Sequence, residues 1–179
     1  MLENIAELCH THTEPFFVYD GDGLQAHAQK LVANSPVKLW YAVKANPLSS
    51  VIKILNEAGF CFDVASRGEL HQVLSCGVHP SNVLFTGPAK TQSDFQLFLE
   101  EGVRTFVCES ENQVRDLNQA AQLTGIKPQA LLRVQLDWSE AASNVLGGCS
   151  ITPFGLPPEN WESFDWRACE HIEFTGLHI

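Results

Sequence analysis

Lys44 occupies a position at which an amine can react. It follows the apolar run LWYAV at 39–43, whose unbroken hydrophobicity is typical of a buried strand. Asn46 and Pro47 come next, and proline ends a strand and favours the start of a helix. An amine at the mouth of a buried strand loses hydration, and a neutral amine is the nucleophile that attacks carbonyl compounds. The alternative is a strand-end lysine whose ammonium group reaches solvent.

The elements that would position this lysine form a repeating unit of strand, helix and glycine. Strands are predicted at 39–45, 60–65, 83–86, 105–108, 130–136 and 172–179, and helices at 48–58, 67–76, 92–101 and 111–124. Before them, the sequence predicts a helix at 2–10, a strand at 16–20, a turn at 20–23 and a helix at 24–33. Ser66 with Glu69 is expected to form a capping box, and Thr91 and Ser110 are N-cap candidates. The alternation predicts a parallel α/β fold.

This alternation places Lys44 at the carboxyl end of its strand, where reactive groups gather in α/β folds. The glycine-rich, helix-poor segment 137–158 follows a strand and is expected on the same side. Six strands are predicted, whereas an eight-stranded barrel needs about 250 residues. The 179 residues therefore predict an incomplete barrel in a single partial domain, 1–179.

Composition excludes several classes of function. The formal net charge of -10 argues against nucleic acid or an anionic membrane as a partner. The N-terminus is acidic and is not a signal peptide, and no apolar run predicts a transmembrane helix. The six cysteines are scattered without a C-x-x-C pair, which favours reduced thiols in a cytoplasmic protein and no metal site.

Five motifs, in order, resemble the fold-type III pyridoxal-phosphate decarboxylases, the group of ornithine, arginine and diaminopimelate decarboxylases. They are YAVKANP at 41–47, FDVAS at 62–66 with GEL at 68–70, VLFTGPAK at 83–90, LRV at 132–134 and FTGLHI at 174–179. The resemblance implies an incomplete (β/α)8 TIM-type barrel of the alanine-racemase-like kind, with pyridoxal 5'-phosphate as cofactor. It also implies a cytoplasmic homodimer that acts on a small amino-acid substrate.

The resemblance gives three residues roles in the site. Lys44 would hold the cofactor aldehyde as a Schiff base and serve as the catalytic residue. Asp63 would lie near that linkage, and Arg133 would help to arrange the cofactor ring. Each has a plain alternative: a solvated strand-end carboxylate for Asp63 and a structural ion pair for Arg133. His178 precedes the position of the family's stacking histidine, so it is expected to be a neighbour only.

The resemblance leaves the reaction and the substrate open. The family's phosphate-binding glycine loop, its acidic partner of the pyridine nitrogen and its C-terminal β-domain come later in the chain, so we expect residues 1–179 alone to be inactive. Pro153-Phe154-Gly155 replaces a Ser-Lys-Phe-Gly-like motif, which is similar to a subgroup acting on modified amino acids in siderophore and antibiotic biosynthesis. An amino-acid racemase, or an inactive homologue that acts by binding, are the alternatives.

Overall fold

Six parallel strands and seven α-helices follow one another in the computed structural model, which describes residues 2–12, 14–136 and 152–179. The strands are β1 Trp40–Ala42, β2 Cys61–Val64, β3 Val83–Phe85, β4 Thr105–Cys108, β5 Gln129–Arg133 and β6 Glu173–His178. The helices are α1 Leu2–Thr11, α2 Gly21–Asn34, α3 Ser49–Ala58, α4 Arg67–Ser75, α5 Gln92–Glu100, α6 Glu111–Thr124 and α7 Pro158–Glu162. Three short 3-10 turns lie at Val43–Ala45, Pro80–Asn82 and Trp166–Ala168.

The helices begin and end where side-chain chemistry favours it. Thr91 and Asp94 form a reciprocal capping box at the start of α5, and the Ser110 hydroxyl accepts the N–H of Gln113 at the start of α6. At α4 the Ser66 hydroxyl accepts the Glu69 N–H, but the Glu69 carboxylate accepts the N–H of Ala65 rather than that of Ser66. The predicted N-caps at Ser66, Thr91 and Ser110 are therefore confirmed. The capping box predicted for Ser66 and Glu69 is wrong, because the Glu69 carboxylate pairs with the residue before the cap.

The sheet has the strand order β1-β2-β3-β4-β5-β6, and every neighbouring pair is parallel. Ala42 pairs with Asp63, and Arg133 pairs with His178 at the far side of the sheet. A sheet in which parallel strands follow in chain order without a reversal is the wall of a β/α barrel rather than a doubly wound sheet. The prediction of about six barrel strands is confirmed.

One face of the sheet packs against α3 to α6 in a single apolar core. Phe85 of β3 and Phe98 of α5 stack with their ring centroids 3.6 Å apart, and Phe95 and Phe106 pack edge-on around them. Because side chains alternate along a strand, the intervening positions, among them Asp63, project to the opposite face. The core thus fixes the direction of the polar side chains that line the other face.

Two predictions near the N-terminus are wrong. Residues 15–20 form no strand, and Phe17 is 90% exposed, because a strand needs a partner and none of the described segments offers one. The predicted turn at 20–23 is instead the start of α2, where the Asp20 carboxylate accepts the N–H of Gly23 at 3.1 Å. Aspartate before a helix is a favoured N-cap, and that preference prevails over the turn signal of the two glycines.

The connection between β5 and β6 also differs from the prediction. Its glycine-rich part, 137–151, lies outside the described residues. The remainder contains α7 and a 3-10 turn rather than a helix-poor loop. Leu156 forms a parallel bridge with Val134, so this connection extends the sheet beyond the end of β5.

Candidate active site

Charged and polar side chains gather at the carboxyl edge of the sheet. Lys44 follows β1, Asp63 lies near the end of β2, and Glu109 directly follows β4. Arg133 and His178 are the last residues of β5 and β6. Because the strands are parallel, all five lie at the edge where β/α barrels hold their functional groups.

Lys44 does not lie on the strand itself. β1 ends at Ala42, and Lys44 lies in the 3-10 turn that follows. Its side chain is exposed and makes no hydrogen bond or ion pair with any described residue. The prediction that the apolar strand removes the hydration of the Lys44 amine is therefore wrong for the described part of the chain. The amine is accessible to a ligand that approaches this edge.

Asp63 is half-buried and held from one side. The Thr86 hydroxyl donates to Asp63 Oδ1 at 2.5 Å, which fixes the rotamer of the carboxylate. Asp63 Oδ2 has no hydrogen bond to the described part of the chain, so one oxygen remains available to a bound group.

Arg133 has partners at three places: the edge of its guanidinium, the face of its guanidinium and its backbone carbonyl. Its Nη1 donates to both carboxylate oxygens of Glu109, at 3.2 and 3.3 Å, and its Cζ lies 4.8 Å from the centroid of the Phe154 ring. The indole Nε1 of Trp161 donates to the Arg133 carbonyl at 2.9 Å. The ion pair expected as the alternative for Arg133 is thus present, and the structure joins it to the carboxyl edge.

The turn after β3 joins the same network. The N–H of Gly87 donates to Glu109 Oε1 at 3.1 Å, and the Lys90 ammonium donates to the Gly87 carbonyl. Gln113 Nε2 donates to the carbonyl of Pro88 at 2.7 Å, and Gln113 Oε1 accepts the N–H of Glu109 at 2.9 Å. The N–H and the carbonyl of Gly87 are therefore both hydrogen-bonded to charged side chains.

Burial governs the protonation of this edge. It lowers the pKa of Lys90 to about 8, although the nearby Glu109 carboxylate opposes that shift. It also lowers the pKa of His178, with a further lowering by the Arg133 cation. Burial raises the pKa of the Cys108 thiol to about 12, so this cysteine stays protonated and is no nucleophile at neutral pH.

The sequence did not identify Glu109, Lys90 or Gln113 as members of the site. The available signal for Glu109 was an acidic residue at the end of an apolar strand. Asp63, near the end of β2, has the same signal. Lys90 ends the VLFTGPAK motif, which assigns it no role. Its burial depends on the packing of β3, β4 and α5 and has no local signal.

Metal-ligand clusters and membrane-spanning helices are absent from the described residues. No group of three or more His, Cys, Asp or Glu side chains there could hold a metal ion. None of the helices in the described ranges is long and apolar enough to cross a bilayer. The five cysteines that the structure describes are all free thiols.

The donor set fits a ligand that carries a carbonyl and anionic groups. Lys44 offers an accessible amine, and Arg133 offers a guanidinium cation. His178 Nδ1 is buried and has no hydrogen-bond partner among the described residues, so a polar ligand could pair with it. An amine, a cation and an unpaired imidazole nitrogen fit part of the surface of pyridoxal phosphate, a phosphorylated aromatic aldehyde.

Comparisons with known proteins identify the family. Over 182 residues the chain is 34% identical to a diaminopimelate decarboxylase of Pseudomonas aeruginosa, covering 98% of this chain and 43% of that protein. It is 25% identical to an L-glutamyl-(BtrI acyl-carrier protein) decarboxylase of Niallia circulans, covering 98% of this chain and 42% of that one. The crystal structure of diaminopimelate decarboxylase from Helicobacter pylori complexed with L-lysine superposes with a TM-score of 0.83 at 26% identity, covering 97% of this chain and 46% of that one.

The chain thus spans less than half the length of these relatives. The model of the family described as "pyridoxal-dependent decarboxylase, pyridoxal binding domain" matches residues 23–179. That match takes in all six strands and every residue of the carboxyl-edge network. The chain belongs to the pyridoxal-dependent decarboxylases, and residues 23–179 belong to their pyridoxal binding domain.

Proposed function

We propose that the protein takes part in the pyridoxal-phosphate-dependent decarboxylation of an amino acid or an amino-acid conjugate. The observation that carries the proposal is the placement of an accessible amine and a network of buried charges at one carboxyl edge of a barrel of this family. When bound, the cofactor takes up the electron pair of the carbon–carbon bond that breaks as carbon dioxide leaves. The chain's own residues must hold and orient the cofactor and handle protons.

Three residues carry the proposed roles. The Lys44 Nζ holds the cofactor covalently and returns a proton to the product. Asp63, fixed by Thr86, orients its remaining oxygen toward that linkage. Arg133 presents its guanidinium beside the ring and is held in place by Glu109 and Phe154. This set follows from the family's motifs together with the position of each residue at the carboxyl edge.

The site is tested by release of carbon dioxide from the full-length product of the gene, supplied with pyridoxal phosphate. Lys44→Ala should abolish turnover, because Lys44 is the lysine of the turn Val43–Ala45 that directly follows β1. Lys53→Ala is the matched control, since Lys53 is an exposed lysine on α3. Equal turnover by both variants would contradict the assignment of Lys44.

A conjugated substrate is the second candidate. Pro153-Phe154-Gly155 resembles the subgroup that acts on modified amino acids, and the structure stacks Phe154 on the Arg133 guanidinium. One relative is named as a decarboxylase of glutamate carried on an acyl-carrier protein. We therefore propose a role in the biosynthesis of a siderophore or a similar conjugate. Efficient turnover of free diaminopimelate, ornithine or lysine would contradict this role.

We propose that the protein is a cytoplasmic homodimer. The free thiols among the described cysteines are consistent with the reducing cytoplasm. A homodimer follows from the family resemblance, and light scattering of the purified protein would test it. Residues 1–179 are proposed to form a single unit, because every strand of the described sheet belongs to one barrel wall.

A further inference from the structure

Glu109 is the most enclosed ionised side chain in the carboxyl-edge network. Its side chain is 1% exposed, against 16% for Arg133. Its two oxygens accept three hydrogen bonds, one from the Gly87 N–H and two from Arg133 Nη1. A carboxylate is costly to bury unless it is paired and hydrogen-bonded. Here the pairing reaches across three neighbouring strands.

The network connects two of the three residues proposed to contact the cofactor, Asp63 and Arg133. Asp63 accepts from Thr86, whose next residue, Gly87, donates to Glu109. Glu109 in turn accepts from Arg133. Displacement of the Glu109 carboxylate would therefore release the guanidinium of Arg133 and loosen the turn that carries Thr86.

Lys90 and Gln113 hold the backbone around the Glu109 carboxylate. Lys90 is 7% exposed and donates to the Gly87 carbonyl, while Gln113 pairs with the Glu109 backbone N–H and the Pro88 carbonyl. The positive φ of +97° at Gly87 favours glycine, and a Cβ there would lie 3.4 Å from Ala65 Cβ. The turn therefore has little freedom to compensate for the loss of Glu109.

We propose that Glu109 is a positioning residue that orients the Arg133 guanidinium and couples it to Asp63 through the Gly87 turn. The inference rests on the proposed function only in that it names the cofactor as the group that Arg133 contacts. Glu109 itself needs no contact with the cofactor, because its oxygens are already engaged by Gly87 and Arg133.

The test compares Glu109→Gln with Glu111→Gln. Glu111 lies two residues away and forms a surface pair with Arg115 at 2.8 Å, so it receives the same substitution outside the network. The first readout is proton exchange of the Arg133 guanidinium, measured by nitrogen-15 NMR under native conditions. Glu109→Gln should accelerate that exchange about tenfold, since loss of one charge-assisted pairing has that magnitude. Glu111→Gln should leave it unchanged, and Glu109→Asp should restore part of the protection.

The second readout is the dissociation constant of pyridoxal phosphate for the full-length protein. It should rise about tenfold in Glu109→Gln and stay unchanged in Glu111→Gln. If the wild-type protein does not bind pyridoxal phosphate, the proposed function is contradicted. Proton exchange of the Arg133 guanidinium still tests the role of Glu109 in that case. Unchanged Arg133 exchange in Glu109→Gln would overturn the inference.

Glu109→Gln could fail to fold, because it removes the charge that pairs with Arg133 and lies near Lys90. The double variant Glu109→Gln/Lys90→Met then removes one charge of each sign and keeps the balance. Fast Arg133 exchange in a folded double variant supports positioning by Glu109. If the Arg133 guanidinium of the double variant exchanges its protons as slowly as in wild type, Glu109 acts through charge balance alone, which contradicts the proposal.

Discussion

Replacing Lys90 with methionine should remove a pH-dependent contribution to stability. Lys90 is 7% exposed, and burial lowers its pKa from 10.5 to about 8. Each pKa unit corresponds to about 1.4 kcal/mol between the two protonation states. The charged form of Lys90 therefore costs the folded state about 3 kcal/mol. Methionine keeps the length of the apolar stem and carries no charge.

The sign follows from proton binding in the two states. Below pH 8 the lysine is protonated in both the folded and the unfolded chain, and the full cost is present. Between pH 8 and 10.5 the unfolded chain binds more protons, so the free energy of unfolding rises with pH. Above that window both states are neutral and the cost has disappeared. The pairing with Glu109 opposes the shift but does not reverse it.

Chemical denaturation across this pH window measures the effect. The free energy of unfolding of wild type relative to Lys90→Met should rise by about 3 kcal/mol from below pH 8 to 10.5. Lys127→Met is the control, because Lys127 is exposed, and its difference from wild type should stay flat. Groups distant from Lys90 titrate in both proteins and cancel in the difference. A flat difference for Lys90→Met would refute the burial of a charged lysine at this edge.

Three further predictions concern packing and protonation. Gly155→Ala should lower the free energy of unfolding by about 2 kcal/mol or more in urea denaturation. The reason is that φ at Gly155 is +83° and the added Cβ would lie 2.7 Å from the Arg133 carbonyl oxygen. Stability equal to wild type would contradict this close approach. Phe98→Ala should cost about 3–5 kcal/mol in the same assay, since the buried ring stacks on Phe85, whereas Leu123→Ala, at a side chain that is 64% exposed, should cost little. In NMR titration the His178 imidazole should charge below the ordinary value of 6.5, because burial and the Arg133 cation lower its pKa; protonation above 6.5 would contradict that environment.

The regular part of the fold was predictable because its signals are local. β4 and α6 have the predicted bounds, since Ser110 caps the helix and Gly125 ends it with a positive φ of 68°. The apolar run at Phe16–Tyr19 has the same strand propensity but forms no strand. Strand formation requires a neighbouring strand, which propensity does not encode.

The site was predictable only in part. Lys44, Asp63 and Arg133 could be named because motifs mark them. Glu109 and Lys90 matter through contacts made across β3, β4 and β5, so their importance depends on register. A Glu that precedes a helix is also ordinary first-turn chemistry. Nothing in the local sequence separates that reading from a buried ion pair.

The most direct test of the central claim is to trap the cofactor on the protein. Pyridoxal phosphate is added, the bond to the amine is reduced with borohydride, and the labelled peptide is mapped by mass spectrometry. The account predicts a label on Lys44, and its loss in Lys44→Arg without transfer to Lys53. A label on Lys90, or one spread over the exposed lysines with Lys44 unmodified, would contradict the claim that Lys44 is the covalent anchor.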